Sequence, residues 1–84
     1  MRMTLDQLKL AAGDDAEMLA KCRDAEKRLG DAIGRAVRDG DRDTLERCCQ
    51  LAGTYRAVKN AARLAGVDAG DLEDALAEIG RAHV

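Results

Sequence analysis

The sequence predicts an all-α fold: a long antiparallel helical hairpin with a short helix at each end. Three observations carry that expectation. Apolar residues recur at alternating steps of three and four on both sides of a short polar turn, the turn places a stop signal next to a start signal, and the chain contains no proline.

In the first arm Met18, Cys22, Ala25, Leu29, Ala32 and Ala36 keep the helical rhythm, and Leu19, Ile33 and Val37 widen the stripe into one buried face. In the second, Cys48, Leu51, Tyr55, Val58, Ala62 and Ala65 continue it, with Leu45, Cys49 and Ala52 broadening one side. Between them Gly40 can take the left-handed conformation that ends a helix, while Asp43 and Glu46 fit a capping box for the next. So short a turn folds the arms back on each other. The register about Gly40 sets Ile33 against Cys48, Leu29 against Ala52, Glu26 against Tyr55 and Cys22 against Val58. Gly30 and Gly34, one turn apart, together with Ala25, Ala32, Ala52 and Ala62, allow a close helix approach.

The flanking segments follow from their caps, and the expected helices span 4–12, 15–39, 43–65 and 69–82. Thr4 and Gln7 form a capping box, Leu5, Leu8 and Ala12 form a stripe, and Gly13 ends the first helix. Asp14 and Glu17 restart the chain. Beyond Gly66 and Val67, which fit a glycine-ended helix followed by an apolar contact, Asp68 or Asp71 caps the last helix. Its stripe is Leu72, Ala75, Leu76 and Ile79; acids lead it and Arg81 and His83 close it, which suits the helix dipole. Asp68-Ala69-Gly70-Asp71 begins like a calcium loop, but the remaining ligand spacing is absent. Leu5, Leu8, Leu72, Leu76 and Ile79 are thus the candidate contacts for a partner helix; the bland alternative is that they complete the monomer's own core.

Length and composition make this a single domain with a thin core. The 84 residues include no Phe, no Trp and one Tyr, and much of the 46% hydrophobic content is alanine, whose burial contributes little beside a leucine. Completion of the core by a second copy is the expectation, with a compact monomeric bundle of four helices as the alternative.

Charge divides the chain into three. On the first arm Glu17 with Lys21, Asp24 with Arg28 and Asp31 with Arg35 are acid-then-base pairs four residues apart, which support the helix and keep its surface nearly neutral. From Arg47 to Val67 there is no acid, and Arg56, Lys59 and Arg63 share a face with Asn60 and, at its margin, Tyr55. A ring beside clustered cations suits a nucleotide or nucleic-acid phosphate. The bland alternative is neutralisation by the tail, which carries Asp68, Asp71, Glu73, Asp74 and Glu78 against Arg81.

Chemistry finds little support. His83 is the lone imidazole, with no fixed neighbour to orient it. Adjacent cysteines on a helix point about 100° apart, so Cys48, Cys49 and His83 match no usual zinc spacing, and no metal or cofactor is expected. Cys22 would lie several turns from either, too far to bridge, so three reduced thiols acting as small apolar side chains are expected. Arg47 beside Cys48 hints at an activated thiol, but burial on the stripe explains that cysteine better. Neither arm has the roughly 20 uncharged apolar residues of a membrane span, and Met1 to Thr4 lack the apolar run of a leader, so a cytoplasmic protein of a bacterium or a phage-infected cell is expected.

The sequence therefore points to binding and not to catalysis. The leading expectation is a small interaction protein that binds a larger protein and blocks, recruits or sequesters it, an accessory or phage-type counter-defence inhibitor being one concrete form. The alternative is phosphate capture by Tyr55, Arg56, Lys59, Asn60 and Arg63.

Overall fold

The structure, a computed structural model, describes residues 3–80 in full and residues 81 and 82 by their backbone alone. His83 and the Arg81 side chain, read above as a basic helix end, lie outside the described residues. Within them the chain is all-helical: α1 (Leu5–Ala12), α2 (Ala16–Asp39), α3 (Arg42–Ala52), α4 (Tyr55–Leu64) and α5 (Ala69–Ala82).

The caps explain most boundaries. Thr4 and Gln7 close the expected box on α1, the Thr4 hydroxyl accepting from the Gln7 amide at 3.2 Å and Gln7 Oε1 from the Thr4 amide at 2.9 Å. The α2 cap is Asp15 and not the expected Asp14: its carboxylate accepts from the amides of Glu17 and Met18. Gly40 sits at φ 67°, ψ 25° and lets the Asp41 amide reach back to the Ala36 carbonyl at 2.9 Å, which ends α2. The α3 cap is Asp41 and not the expected Asp43: its carboxylate accepts from the Thr44 amide and the Thr44 hydroxyl, and Arg42 and Asp43 are already helical. Those bonds, the hydroxyl first, hold the Asp41 carboxyl below its ordinary pKa. Asp68 caps α5 by accepting from the Asp71 amide at 3.1 Å.

The expected continuous helix over 43–65 is broken. Gly53 adopts φ 92°, a backbone that a side chain resists, and Thr54 follows as an extended N-cap whose hydroxyl accepts from the Ala57 amide at 3.1 Å. A glycine stop and a threonine start thus stand side by side inside a stripe whose apolar rhythm runs on without interruption. The break also changes the register. A single hairpin would set Gly30 near Leu51, whereas a β-carbon at Gly30 would lie 2.1 Å from the Ala61 carbonyl oxygen, and one at Gly34 would lie 3.3 Å from a Val67 methyl. Residue numbers rise together at these two contacts, so this part of the chain runs along α2 in the sense opposite to the one expected. Nearer the turn, Leu29, Ile33, Cys48 and Ala52 all belong to one core cluster.

α2 is the spine and touches each of the other four helices. The molecule measures 39 × 26 × 16 Å, about two helix layers deep, so each helix keeps a solvent face. The core between the layers is correspondingly thin. Its largest fully buried side chains are Ile33, Leu45 and Val58, with Ala36, Ala52, Ala57, Ala61 and Ala62 filling in. α5 lies against α3, α4 and α2, burying Leu72 and packing Ala75, Leu76 and Ile79 against the same cluster.

Candidate functional site

Two grooves concentrate the chemistry that the sequence singled out, on different helices. The first lies over α2 between α1 and α3. On α2, Ala25, Leu29 and Ala32 recur along one face and supply a floor with little bulk; α1 contributes Leu5 and Leu8, and α3 contributes Cys48 and Leu51. Met3 closes one end, and the hollow measures about 380 Å³. Met3 is 48% exposed and Leu51 43%, so two large apolar side chains stand at its mouth. A more polar hollow of about 350 Å³ continues from Met3 and Leu51 to Arg47 and Gln50. Arg28 and Arg47 border this combined surface, and among the described residues no Asp or Glu lines either part.

The position of α1 shapes this groove, and an ion pair that sequence reasoning missed holds it there. Glu26 is the buried charged residue of the core, and its carboxylate takes the Lys9 ammonium across from α1. Glu26 falls on the apolar stripe of α2, between Cys22 and Leu29, which was the available signal. An acid on a buried face requires a cation, because an unpaired buried charge is strongly destabilising. At the other end of α1, Thr4 packs against Gly53, where a β-carbon would come within 2.7 Å of the Thr4 side chain. The glycine that breaks the second arm therefore also seats the start of α1.

The cysteines give no sign of activation. All three are free; Cys22 and Cys48 are buried and Cys49 is half-buried. Burial pushes the Cys48 and Cys49 thiols up, away from the thiolate a nucleophile needs. Among the described residues no group of three His, Cys, Asp or Glu comes together in a way that could hold a metal ion, and no helix is long and apolar enough to cross a membrane.

The second groove runs between α4 and the start of α5 and measures about 250 Å³. It gathers four of the five phosphate candidates, Tyr55, Lys59, Asn60 and Arg63, over Ala62, Val67 and Leu72, with Glu73 on the α5 side. Arg56, the fifth, is exposed and does not line it. Arg63 donates to Asn60 Oδ1 at 3.0 Å, and the Lys59 ammonium stands 5.2 Å from the centre of the Tyr55 ring. Of the tail's acids, Glu73 shares this groove, Asp68 accepts the cap bond of α5, and Glu78 meets Arg42 of α3 at 3.6 Å.

The partner-helix candidates divide between these surfaces and the interior. Leu5 and Leu72 are buried, Leu76 and Ile79 are half-buried against the core, and Leu8 is half-buried at the first groove. The apolar face of α5 is thus largely satisfied within the chain. The open hollow of about 590 Å³ between α2 and the α4–α5 connection alternates Arg35 and Arg38 with Asp31, Asp68 and Asp71, and gathers no single kind of chemistry. No family of known proteins, no curated protein and no solved structure matches this chain.

Proposed function

We propose that the chain acts by binding a larger protein, taking an amphipathic helix of that partner into the groove between α1 and α3 and so blocking, recruiting or sequestering it. The observation that supports this most is the contiguous apolar surface of Met3, Leu8, Leu29 and Leu51 bordered by Arg28 and Arg47. Single exposed apolar residues are ordinary; large ones gathered at a groove with a polar rim mark interaction surfaces. A floor of alanines and a leucine between two flanking helices suits apolar anchors spaced by one helical turn, and the methionine at its end adapts to their shape.

Charge selects the occupant. With arginines at the rim and no lining acid, the complementary helix carries Asp or Glu beside its apolar stripe. A second copy is the weaker candidate, because the acidic amphipathic helix this chain could offer itself is α5, whose leucine face already packs against its own core. Self-association, which the thin core invites, is thus a separate outcome of the test.

The test places a photo-crosslinking residue at position 51, inside the groove, and in a control at Leu64, which is 60% exposed on α4. Cross-linked peptides are identified from lysate by mass spectrometry. Position 51 is expected to mark acidic amphipathic helical segments that position 64 does not, and Leu51→Asp should weaken capture of the same segment by roughly tenfold or more, as loss of an anchor does. Cross-links from position 51 to other copies of this chain would reassign the groove to a homo-oligomer. Capture unchanged by Leu51→Asp would remove the groove from the function.

A further inference from the structure

Among the described residues the cations of α4 close no ion pair, although Glu73 shares their groove. Among the described residues no Asp or Glu oxygen lies within 4 Å of Arg56, Lys59 or Arg63, although α5 brings acids alongside; Glu78 is drawn to Arg42 instead. Surface cations left unpaired are common, but two of these line one groove together with an aromatic ring, an amide and an apolar floor. We propose that this groove between α4 and α5 binds a nucleoside 5′-phosphate.

Each wall contributes one part of that recognition. The Arg63 guanidinium donates to Asn60 Oδ1 at 3.0 Å, which orients it while leaving further N–H groups to donate to phosphate oxygens. Lys59 supplies a second, mobile charge. Its ammonium stands over Tyr55, 5.2 Å from the ring centre, so a cation and an aromatic face are adjacent at one end of the groove. A phosphate recruits the ammonium, and a base then replaces it as the partner of the 53%-exposed ring. Ala62, Val67 and Leu72 give the ribose and base an apolar surface. Glu73, on the opposite wall, accepts from sugar hydroxyls or a base amine and repels extra negative charge, which favours a monophosphate over a di- or triphosphate. The volume of about 250 Å³ falls just below the range of roughly 300–1,000 Å³ usual for enclosed ligand sites, so the nucleoside stays partly exposed.

This site shares no lining residue with the α1–α3 groove and does not rest on the function proposed for it. The test is calorimetric titration of the full chain at low salt with adenosine 5′-monophosphate, adenosine and inorganic phosphate. The monophosphate should bind roughly tenfold tighter than either fragment. Arg63→Gln and Lys59→Gln should each weaken it by about tenfold, the loss expected for one charge-assisted hydrogen bond. Tyr55→Ala should bring the monophosphate close to inorganic phosphate, and Glu73→Gln should tighten triphosphate more than monophosphate. These side chains are exposed, and unchanged circular dichroism melting checks that the variants fold.

The same chemistry could come from a free nucleotide or from the end of a nucleic-acid strand. Hexanucleotides with a 5′-phosphate or a 5′-hydroxyl separate the sources. A 5′-phosphorylated strand binding more tightly than the mononucleotide assigns the site to strand ends; equal or weaker binding assigns it to free nucleotide. Binding of the 5′-hydroxyl strand as tight as that of the phosphorylated one would overturn the proposal, as would a monophosphate that binds no better than inorganic phosphate or is unaffected by Arg63→Gln.

Discussion

At Gly30 the backbones of α2 and α4 meet with no room for a side chain. A β-carbon there would lie 2.1 Å from the Ala61 oxygen and 3.0 Å from the Ala61 carbonyl carbon, backbone atoms that move only if a helix moves. Alanine would improve helix propensity by about 1 kcal/mol, whereas overpacking costs roughly 1–3 kcal/mol. Gly30→Ala is therefore expected to lower the melting temperature by several degrees, a loss of 1 kcal/mol being worth about 4–8 °C in a domain of this size. Gly34→Ala tests the same argument with the opposite sign. Its β-carbon would meet a Val67 methyl at 3.3 Å, contact that a side chain can relieve, so propensity decides and thermal unfolding should shift up or stay level. The pair was legible in the sequence as a sign of close packing, but not which helix it packs on. Spacing reports that a face is small and says nothing of what lies across it. Glu26 shows the converse: its place on a buried stripe was visible, while its partner Lys9, seventeen positions away, depended on where α1 comes to rest.

Among the elements, the α3–α4 break shows what periodicity hides. Ala52, Tyr55, Val58 and Ala62 keep their rhythm across Gly53-Thr54, because the apolar stripe resumes in phase after the interruption. The readable signal was chemical and not periodic: glycine followed by threonine is a stop next to a cap, the same grammar that marked Thr4, Gly13 and Gly40 and left Asp68 and Asp71 open as the last cap, of which Asp68 accepts the bond. Gly53→Ala should be costly for two separable reasons. Its φ of 92° disfavours any β-carbon, and that atom would lie 2.7 Å from Thr4. A loss of at least about 2 kcal/mol is expected in urea unfolding, left-handed backbone alone costing roughly 1–2 kcal/mol. Hydrogen exchange distinguishes the two contributions. Displacement of Thr4 should speed exchange of the Gln7 and Leu8 amides at the start of α1 beyond the global effect, because Thr4 caps that helix. Unaltered protection there would mean that α1 does not depend on the break for its seat.

For the whole molecule, the two-layer shape and the small side chains make the core depend on its few large members. α2 contacts every other helix, so the chain should unfold in one transition in which α5 takes part. The sequence marked Leu72, Leu76 and Ile79 as one apolar face, and in the structure Leu72 is buried in the core with Leu76 and Ile79 packed against it. Whether that face packs within the same chain or on another was not legible, because an amphipathic stripe carries no address. Leu72 is 3% exposed within the core cluster, whereas Leu10 on α1 is 78% exposed. Leu72→Ala should therefore remove about 2–5 kcal/mol, the range for a buried leucine, from a total that for domains of this kind is only about 5–15 kcal/mol. Leu10→Ala should stay within about 0.5 kcal/mol of the parent. Urea titration followed by circular dichroism gives both values, and the shape of the Leu72→Ala curve is as informative as its midpoint. A single transition at lower urea with an unchanged slope means that α5 folds with the rest. A separate early transition with little loss in the remainder would mean that α5 is an independent flap, leaving the leucine face of that helix free to be shared with a second copy of the chain.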